Sequence, residues 1–359
     1  MTNVLLLGTV SLGLGAIERG EAEFRPGAQE SSVPARFRLE RAVFSYELTP
    51  VLSTTNYTVA RLRFPSPVTT ADPENNVVHA EYFAPTDRGR RHPGVIVLHI
   101  LGADFPLSRY LAARLADRGV AALFVKLPYY GERRPAKGGL NSRRFLSSDI
   151  ERTVTAMRQG ICDVRRAAAW LSGRPEIDGA RLGAAGISLG GIVAAVAVAV
   201  DPALHEGAFL LAGGDLSRIL WTMPEGAAFR AWWTASGRTV QDLKVLTDPF
   251  DPLTYAHRLV GKRVLMMAGK VDEVIPPASA QLLWEAAGRP PIRWFDCGHY
   301  SAVGFLLPGI RQTVEFFASP EAPPGRAGPG RARPTEFRLP EIRLGGSLDG
   351  NAHRTGVFP

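Results

Sequence analysis

The segment Gly186-Ile187-Ser188-Leu189-Gly190 constrains this 359-residue chain more than any other feature. The apolar residues 181–185 before it predict a short buried strand, and the small residues 191–196 after it predict the start of a helix. On so sharp a strand-to-helix turn, a serine has a strained backbone and an exposed hydroxyl, and a side chain on either flanking glycine would clash with its neighbours. The pattern is typical of a nucleophile elbow, although so short a motif also arises as plain turn chemistry.

A serine hydroxyl is a poor nucleophile at neutral pH, so this interpretation requires a histidine to take its proton and an acid to orient that histidine. Residues 264–269 predict a strand, and Asp272 lies on the loop that follows it. Residues 292–295 predict a further short strand, which places His299 on the next loop. The order Ser, Asp, His along the chain agrees with a serine on a strand-to-helix elbow.

Two other acids, Asp215 and Asp251, compete with Asp272 for that role. Asp215 follows the predicted strand 208–212, but it lies farther from His299 in sequence. Asp248 and Asp251 each precede a proline and are more typical of turn and helix-cap residues. Cys297 stands close to His299 but lacks an elbow, so we expect it to be a packing residue.

With these motifs in place, the chain resembles the α/β-hydrolase superfamily, and within it the branch of the dienelactone hydrolases and acetyl-xylan esterases. The resemblance covers roughly residues 75 to 318 and is carried by residues 177–183, residues 269–272 and residues 297–299, together with the elbow. It implies that Ser188 is the nucleophile, Asp272 the orienting acid and His299 the general base.

The resemblance also implies an oxyanion hole, which needs two backbone N–H groups. One donor should be Leu189, and the other should come from the loop after the apolar strand 93–98. Many relatives have His-Gly at the start of this loop, where this chain has His99-Ile100, so Leu101 is the first choice of donor and Ile100 the second. We expect His99 to be a structural loop residue.

The chain-wide pattern predicts an α/β fold with a doubly wound, mostly parallel sheet and a small helical cap. Strands at 58–64 and 76–83 predict an antiparallel start, and helices at 107–118 and 149–172 flank a strand at 120–125. Four arginines on the second helix predict a solvated face: Arg152, Arg158, Arg165 and Arg166. The expected domains are an irregular lead-in over 1–40, a hydrolase domain over 41–318 with a cap near 215–258, and a disordered tail over 319–359.

Candidate substrate contacts lie on two segments. Tyr129, Tyr130 and Arg133 follow the strand 120–125, at the sheet edge where such folds build binding crevices. Trp221 lies in the predicted cap and could shape an apolar pocket. The alternative for the tyrosines is half-exposed packing on the scaffold, and the alternative for the tryptophans is to anchor the cap.

Composition excludes several classes of function. The formal charge of +8 is scattered, and no nucleic-acid module accompanies it. No P-loop, GxGxxG or HExxH motif is present, so neither a metal nor an organic cofactor is expected. The apolar residues 4–16 are too short for a membrane span, and the first basic residue is Arg19; a cytoplasmic location is expected, with secretion as the alternative.

The sequence therefore predicts hydrolysis of a small-molecule carboxylic ester through an acyl-enzyme. A peptidase or thioesterase with the same three residues remains open, as does a noncatalytic binding protein of the same fold. The oligomeric state cannot be read from the sequence.

Overall fold

The computed structural model describes residues 11–12, 15–102, 105–136, 145 and 150–319. The predicted disordered tail, apart from Ser319, lies outside these residues, as does most of the apolar N-terminal segment. Within the described ranges, no helix combines the length and the apolar character that crossing a membrane would require.

A single large mixed sheet forms the centre of the fold. Within the described residues it has eleven strands: β1 Ser11–Leu12, β2 Glu18–Phe24, β3 Ala42–Ser53, β4 Tyr57–Pro65, β5 Val77–Pro85, β6 His92–Leu98, β7 Ala121–Val125, β8 Ile177–Ile187, β9 Glu206–Leu210, β10 Arg263–Gly269 and β11 Ile292–Phe295. Their spatial order is β1-β3-β4-β5-β7-β6-β8-β9-β10-β11, and β2 also pairs with β3. Pairs among β1 to β5 are antiparallel, as is β5 with β7, whereas all pairs from β7 through β11 are parallel.

The helices follow from these crossovers. In the described part of the chain they are α1 Pro106–Asp117, α2 Ile150–Ser172, α3 Leu189–Val200, α4 Leu216–Thr222, α5 Ala227–Ala235, α6 Val240–Thr247, α7 Pro252–Tyr255, α8 Pro277–Ala286 and α9 Val303–Ala318. Across the sheet, the connection from β6 to β7 runs towards β5, whereas the connection from β7 to β8 runs the opposite way, past β6. Because such crossovers are right-handed, α1 and α2 lie on opposite faces of the sheet. Helix α9 packs beside α1, and α3 packs beside α2. The fold is the predicted doubly wound α/β arrangement.

The reversal of strand order at β6 positions the site. Strands β6 and β8 are neighbours, with Leu98 opposite Gly186, so the loops that follow them emerge side by side. In open α/β sheets a crevice forms at such a point, at the carboxyl ends of the strands. Ser188, Asp272 and His299 each follow the end of one of the parallel strands β8, β10 and β11.

The N-terminal lead-in is more regular than the sequence predicts. Residues expected to be irregular contain β2, whose register pairs Glu18 with Leu48 and Phe24 with Ala42. The prediction was wrong here because the charged residues of β2 lie on a partly exposed face, where Arg19 donates to Glu47 at 2.9 Å. A strand at such an edge needs no continuous apolar run.

The predicted solvated face of α2 is also wrong at one position. Arg165 is buried, and its guanidinium donates to Glu30 at 2.7 Å and to Asp201 at 3.1 Å. It also donates to the backbone carbonyl of Phe37. The lead-in segment folds across α2 and covers it, so this arginine joins two parts of the chain that are far apart in sequence.

The predicted cap insertion contains the helices α4 to α7. Phe250 and Tyr255 from this insertion pack edge-on against Phe37, with ring centroids 6.2 and 5.8 Å apart. Trp233 is buried, and its indole N–H donates to the carbonyl of Thr239 within the insertion, so this tryptophan packs inside the insertion; anchoring of the insertion to the body by tryptophan stays a prediction. Coverage of the serine by this insertion stays a prediction.

Candidate active site

Ser188 occupies a strained turn between β8 and α3. Its φ of 54° and ψ of −119° lie outside the regions that residues with a side chain usually adopt. The backbone N–H of Ser188 donates to the carbonyl of Leu210 at 2.8 Å, which ties the turn to the end of β9. Ser188 as a whole is only 9% exposed.

The two glycines of the elbow are required by close backbone approach. A Cβ on Gly186 would lie 2.2 Å from the carbonyl carbon of Gly190. A Cβ on Gly190 would lie 2.5 Å from the carbonyl oxygen of Leu98 and 2.7 Å from that of His99. The start of α3 is therefore pressed against the end of β6, and this contact brings the serine next to the loop after β6.

Three side chains predicted from the sequence are joined by hydrogen bonds. The Ser188 hydroxyl lies 2.9 Å from Nε2 of His299, and Nδ1 of His299 lies 2.9 Å from Oδ2 of Asp272. The histidine side chain is 13% exposed and the aspartate side chain 1%. The imidazole can therefore accept the serine proton at Nε2 while its Nδ1–H donates to the buried carboxylate.

Backbone groups hold the acid and the histidine in place. Oδ1 of Asp272 accepts the N–H groups of Val274 and Ile275 at 2.9 and 2.7 Å. The N–H of His299 donates to the carboxylate of Glu273 at 2.8 Å. Sequence reasoning missed Glu273, although its place beside Asp272 was an available signal.

The first predicted oxyanion donor, the N–H of Leu189, lies at the start of α3. Leu189 is the first residue of α3, and the first N–H groups of a helix have no partner within that helix. Leu101, the first choice for the second donor, is 44% exposed on the loop after β6, and Ile100 is half-buried there. Both stay predictions.

His99 fixes the loop that carries Ile100 and Leu101. Its Nδ1 is 2.7 Å from the carbonyl of Ile100, and its Nε2 accepts the N–H of Leu127 at 3.0 Å. Burial lowers the pKa of His99 to about 4, and the charges of Lys126 and Arg133 act in the same direction. The imidazole is neutral and holds two loops together, in agreement with the structural role predicted for it.

The structure corrects the predicted pocket after β7. Tyr129, Tyr130 and Arg133 are all buried and do not line an open crevice. The Tyr129 backbone is left-handed, with φ 66°. Cζ of Arg152 lies over the Tyr129 ring, 4.8 Å from its centroid. Tyr130 packs against His99, with ring centroids 4.4 Å apart. The ring of Tyr130 therefore packs inward against the first residue of the loop after β6.

Arg133 belongs to a buried polar network that the sequence did not indicate. Its guanidinium lies 2.8 Å from Oδ2 of Asp163 and donates to the carbonyls of Lys126 and Asn75. Asp163 accepts the hydroxyl of Ser66 at 2.6 Å. Burial raises the pKa of Asp163 against the opposing charge of Arg133. This network joins the loop after β7 to α2 and supports the loop from below.

The remaining candidates lie elsewhere. Asp215 caps α4 by accepting the N–H of Arg218, and Asp251 accepts the N–H groups of Asp215 and Leu216, so both rival acids are cap residues. Cys297 is buried, as expected of a packing residue. Trp221 is half-buried in α4. In the described part of the chain, no hydrogen bond or ring contact links Trp221 to Ser188, and its place in a substrate pocket stays a prediction.

Two protein-family models match parts of the chain. The family described as "Alpha/beta hydrolase domain containing 18" matches residues 23–205, just over half of the chain, including the elbow serine. The chain belongs to this family. The prolyl oligopeptidase family also matches, over residues 156–289. Membership confirms the α/β-hydrolase resemblance, and the Asp272 and His299 loops lie beyond the first match.

Individual relatives are distant. The uncharacterized protein Rv2627c of Mycobacterium tuberculosis is 24% identical over 199 residues, which are 55% of this chain and 46% of that protein. The chain thus spans about half the length of this relative. An acetyl xylan esterase from Paenibacillus sp. R4 has a TM-score of 0.61 at 18% identity, covering 80% of this chain and 90% of the esterase. Acetyl xylan esterase 1 from Thermoanaerobacterium sp. JW/SL YS485 has a TM-score of 0.59 at 20% identity, covering 76% and 87%. These likenesses establish the fold.

Proposed function

We propose that this protein is a serine hydrolase that cleaves a carboxylic ester through a covalent acyl-enzyme. The observation that carries the proposal is the hydrogen-bonded chain from Ser188 through His299 to Asp272. A protein that only bound a ligand would have no physical need to align all three groups, nor to hold the serine on a strained turn.

In the first step, His299 takes the hydroxyl proton at Nε2 as Oγ of Ser188 attacks the ester carbonyl carbon. The carbonyl electron pair moves onto the oxygen, which becomes an oxyanion. The buried carboxylate of Asp272 stabilises the imidazolium that forms and fixes the tautomer that leaves Nε2 free to accept.

The oxyanion would be stabilised by backbone N–H groups at the start of α3 and on the loop after β6. Leu189 supplies the first in this proposal, and Leu101 supplies the second, with Ile100 as the alternative donor. Such preorganised donors are effective because they need no reorganisation as charge develops.

Collapse of the intermediate releases the alcohol, which receives the proton from His299, and leaves the acyl group on Ser188. A water molecule then gives its proton to the same nitrogen and attacks the acyl carbon. Collapse of this second intermediate returns the proton from His299 to Oγ of Ser188 and releases the carboxylic acid. In both half-reactions Nε2 of His299 accepts and returns the proton, while Nδ1–H donates to Asp272.

The test is covalent labelling of Ser188. A fluorophosphonate should add one equivalent to the wild-type protein and none to Ser188→Ala, as measured by intact mass. The substitution should lower kcat on 4-nitrophenyl esters by about 10⁶-fold, because the hydroxyl supplies covalent chemistry rather than packing. An unchanged Tm in Ser188→Ala would serve as the folding control. An unlabelled but folded wild-type protein would favour the noncatalytic binder.

A peptidase is the second candidate, because the prolyl oligopeptidase family matches residues 156–289. Both reactions use the same three side chains, so the distinction lies in the leaving group. Comparing kcat/KM on 4-nitrophenyl acyl esters with that on peptide anilides separates the two. A higher value on the anilides would replace the ester assignment with peptide hydrolysis.

A further inference from the structure

Two consecutive acids on the loop after β10 contact the same histidine on the loop after β11. Asp272 contacts the ring of His299, with Oδ2 2.9 Å from Nδ1. Glu273 contacts the backbone of that residue, because its Oε2 accepts the His299 N–H at 2.8 Å. The histidine is therefore held at two separate points, one on its ring and one on its main chain.

The two contacts together set the position of the imidazole. A ring held only through Nδ1 can swing about that hydrogen bond, and such a swing would move Nε2 away from the serine hydroxyl. A fixed backbone N–H fixes Cα of His299 relative to the loop after β10 and restricts this motion. The distance of 2.9 Å between Nε2 and Oγ of Ser188 thus depends on both acids. Small shifts matter, because a misplacement of about 1 Å can lower a rate by about a hundredfold.

Gly298 leaves the space that the Glu273 carboxylate occupies. A Cβ on Gly298 would overlap Oε2 of Glu273, the same oxygen that accepts the His299 N–H. The nearest backbone atom that this Cβ would meet is the carbonyl oxygen of Val271, at 3.2 Å. The φ of Gly298 is not in the left-handed region, so its backbone conformation does not by itself require glycine. The close carboxylate is therefore the reason for a residue without a side chain here.

We propose that Glu273 is a positioning residue for the general base, and that Gly298 provides the space through which it reaches the backbone of His299. The inference rests on the proposed serine-hydrolase function, in which His299 is that base. Glu273 acts through the main chain of the histidine and transfers no proton itself. Because the base acts in both half-reactions, loss of Glu273 should slow both and leave substrate binding unchanged.

Two substitutions at Glu273 separate the acceptor from the length of the side chain. Glu273→Gln keeps an oxygen acceptor at the same reach, whereas Glu273→Met keeps the length without an acceptor. On 4-nitrophenyl esters, kcat should fall by about tenfold in Glu273→Met with an unchanged KM, and Glu273→Gln should keep most of the wild-type kcat. Glu40→Met removes an exposed carboxylate from the lead-in and should leave kcat unchanged. An unchanged kcat in Glu273→Met, or a loss through KM alone, would overturn the proposal.

A double-variant cycle tests the fit between Gly298 and Glu273. Gly298→Ala should displace the carboxylate and lower kcat by about tenfold, as Glu273→Ala should. Without the carboxylate the added methyl group has no such obstacle, so the double variant should also lose about tenfold. Gly304→Ala, in α9, is the matched control because nothing lies within 4 Å of its Cβ. Losses that multiply to about a hundredfold would show that the two residues act independently and would overturn the proposed fit.

Amide hydrogen exchange separates this proposal from the hydrolase assignment. With isotope label only at the seven histidines, the backbone signal that disappears in His299→Gln identifies His299. Its amide hydrogen should exchange about tenfold faster in Glu273→Met and in Gly298→Ala than in wild type, with Glu273→Gln closer to wild type. That result supports the backbone contact even if Ser188 is not labelled by a fluorophosphonate, the outcome that would reject the hydrolase. Unchanged exchange in both variants would overturn the positioning role, whatever the activity.

Discussion

The parallel and antiparallel halves of the sheet differ in where their charged side chains lie. Every residue of β6 and β7 in the parallel half is buried, whereas β3 and β4 in the antiparallel half have partly exposed residues along their length. Glu47 on β3 pairs with Arg63 on β4 at a partly exposed face. In the parallel half, polar side chains are confined largely to strand ends, because both faces are covered by helices. The proposed chemistry is concentrated there for that reason.

The strongest test of this contrast exchanges one carboxylate in each half. Asp272→Asn should lower kcat by about 10⁴-fold, because the amide favours the wrong imidazole tautomer while preserving the fold. Glu47→Gln in the antiparallel half should leave kcat unchanged. Ester hydrolysis by both variants measures the difference, and comparable losses would show that the parallel strand ends are not special.

The second test compares a buried ion pair with an exposed one. Arg133→Met leaves Asp163 buried and without its partner, so the free energy of unfolding should fall by about 3–5 kcal/mol. Arg63→Met should leave it unchanged, because Arg63 and Glu47 are screened by water. Urea denaturation measures both. Adding Asp163→Asn to Arg133→Met should recover part of the loss, and no recovery would contradict the assigned pairing.

A smaller effect is expected at the elbow. Gly190→Ala places a methyl group against the carbonyls of Leu98 and His99, and overpacking of this kind costs about 1–3 kcal/mol. Hydrolysis should also fall, because α3 must move away from the loop after β6. Gly27→Ala, after β2, is the matched control because nothing lies within 4 Å of its Cβ. Equal unfolding free energies for the two variants would argue against the close approach.

The two halves of the sheet should also differ in how their stability depends on pH. His99 has its pKa lowered to about 4 in the folded protein, against a usual value near 6.5. The unfolded chain therefore binds a proton more readily, so stability is lost as pH falls from about 6.5 towards 4, by at most about 1.4 kcal/mol per pH unit for one proton.

In the antiparallel half, stability should change only at lower pH. Arg41 and Arg25 lower the pKa of Glu23 by hydrogen bonding, so the contribution of Glu23 to stability is lost only as pH falls through and below the usual glutamate range. Urea midpoints between pH 7 and 5 should therefore fall in wild type and change less in His99→Gln. Equal slopes would show that His99 does not carry this pH dependence.

Local patterns in the sequence led to three side chains that hydrogen bonds join in the structure. Ser188, Asp272 and His299 each follow an apolar strand run, and their order along the chain restricted the choice of partners. Glu273 was missed because an acid that accepts a backbone N–H has no sequence motif of its own, and its place beside Asp272 was the one available signal.

The charged interior was less predictable. Arg165 has helical spacing typical of a solvated face, yet it is buried because Glu30 covers it from a segment 135 residues away. The position of Arg133 after β7 predicts a pocket residue, but its guanidinium is buried, where it pairs with Asp163 and donates to the carbonyl of Asn75. Pairing across such separations depends on the packing of α2 and the loops, which local periodicity does not encode.

The sequence by itself determined the strand and helix succession, the glycine-flanked serine and the order of its partners, because apolar runs and backbone-permissive residues act over a few neighbouring positions. Only the tertiary structure decided that the imidazole of His299 bridges Ser188 and Asp272, and that Arg133 pairs with Asp163 in the core. Those outcomes depend on distances between strand ends, which are set when the whole sheet closes its core.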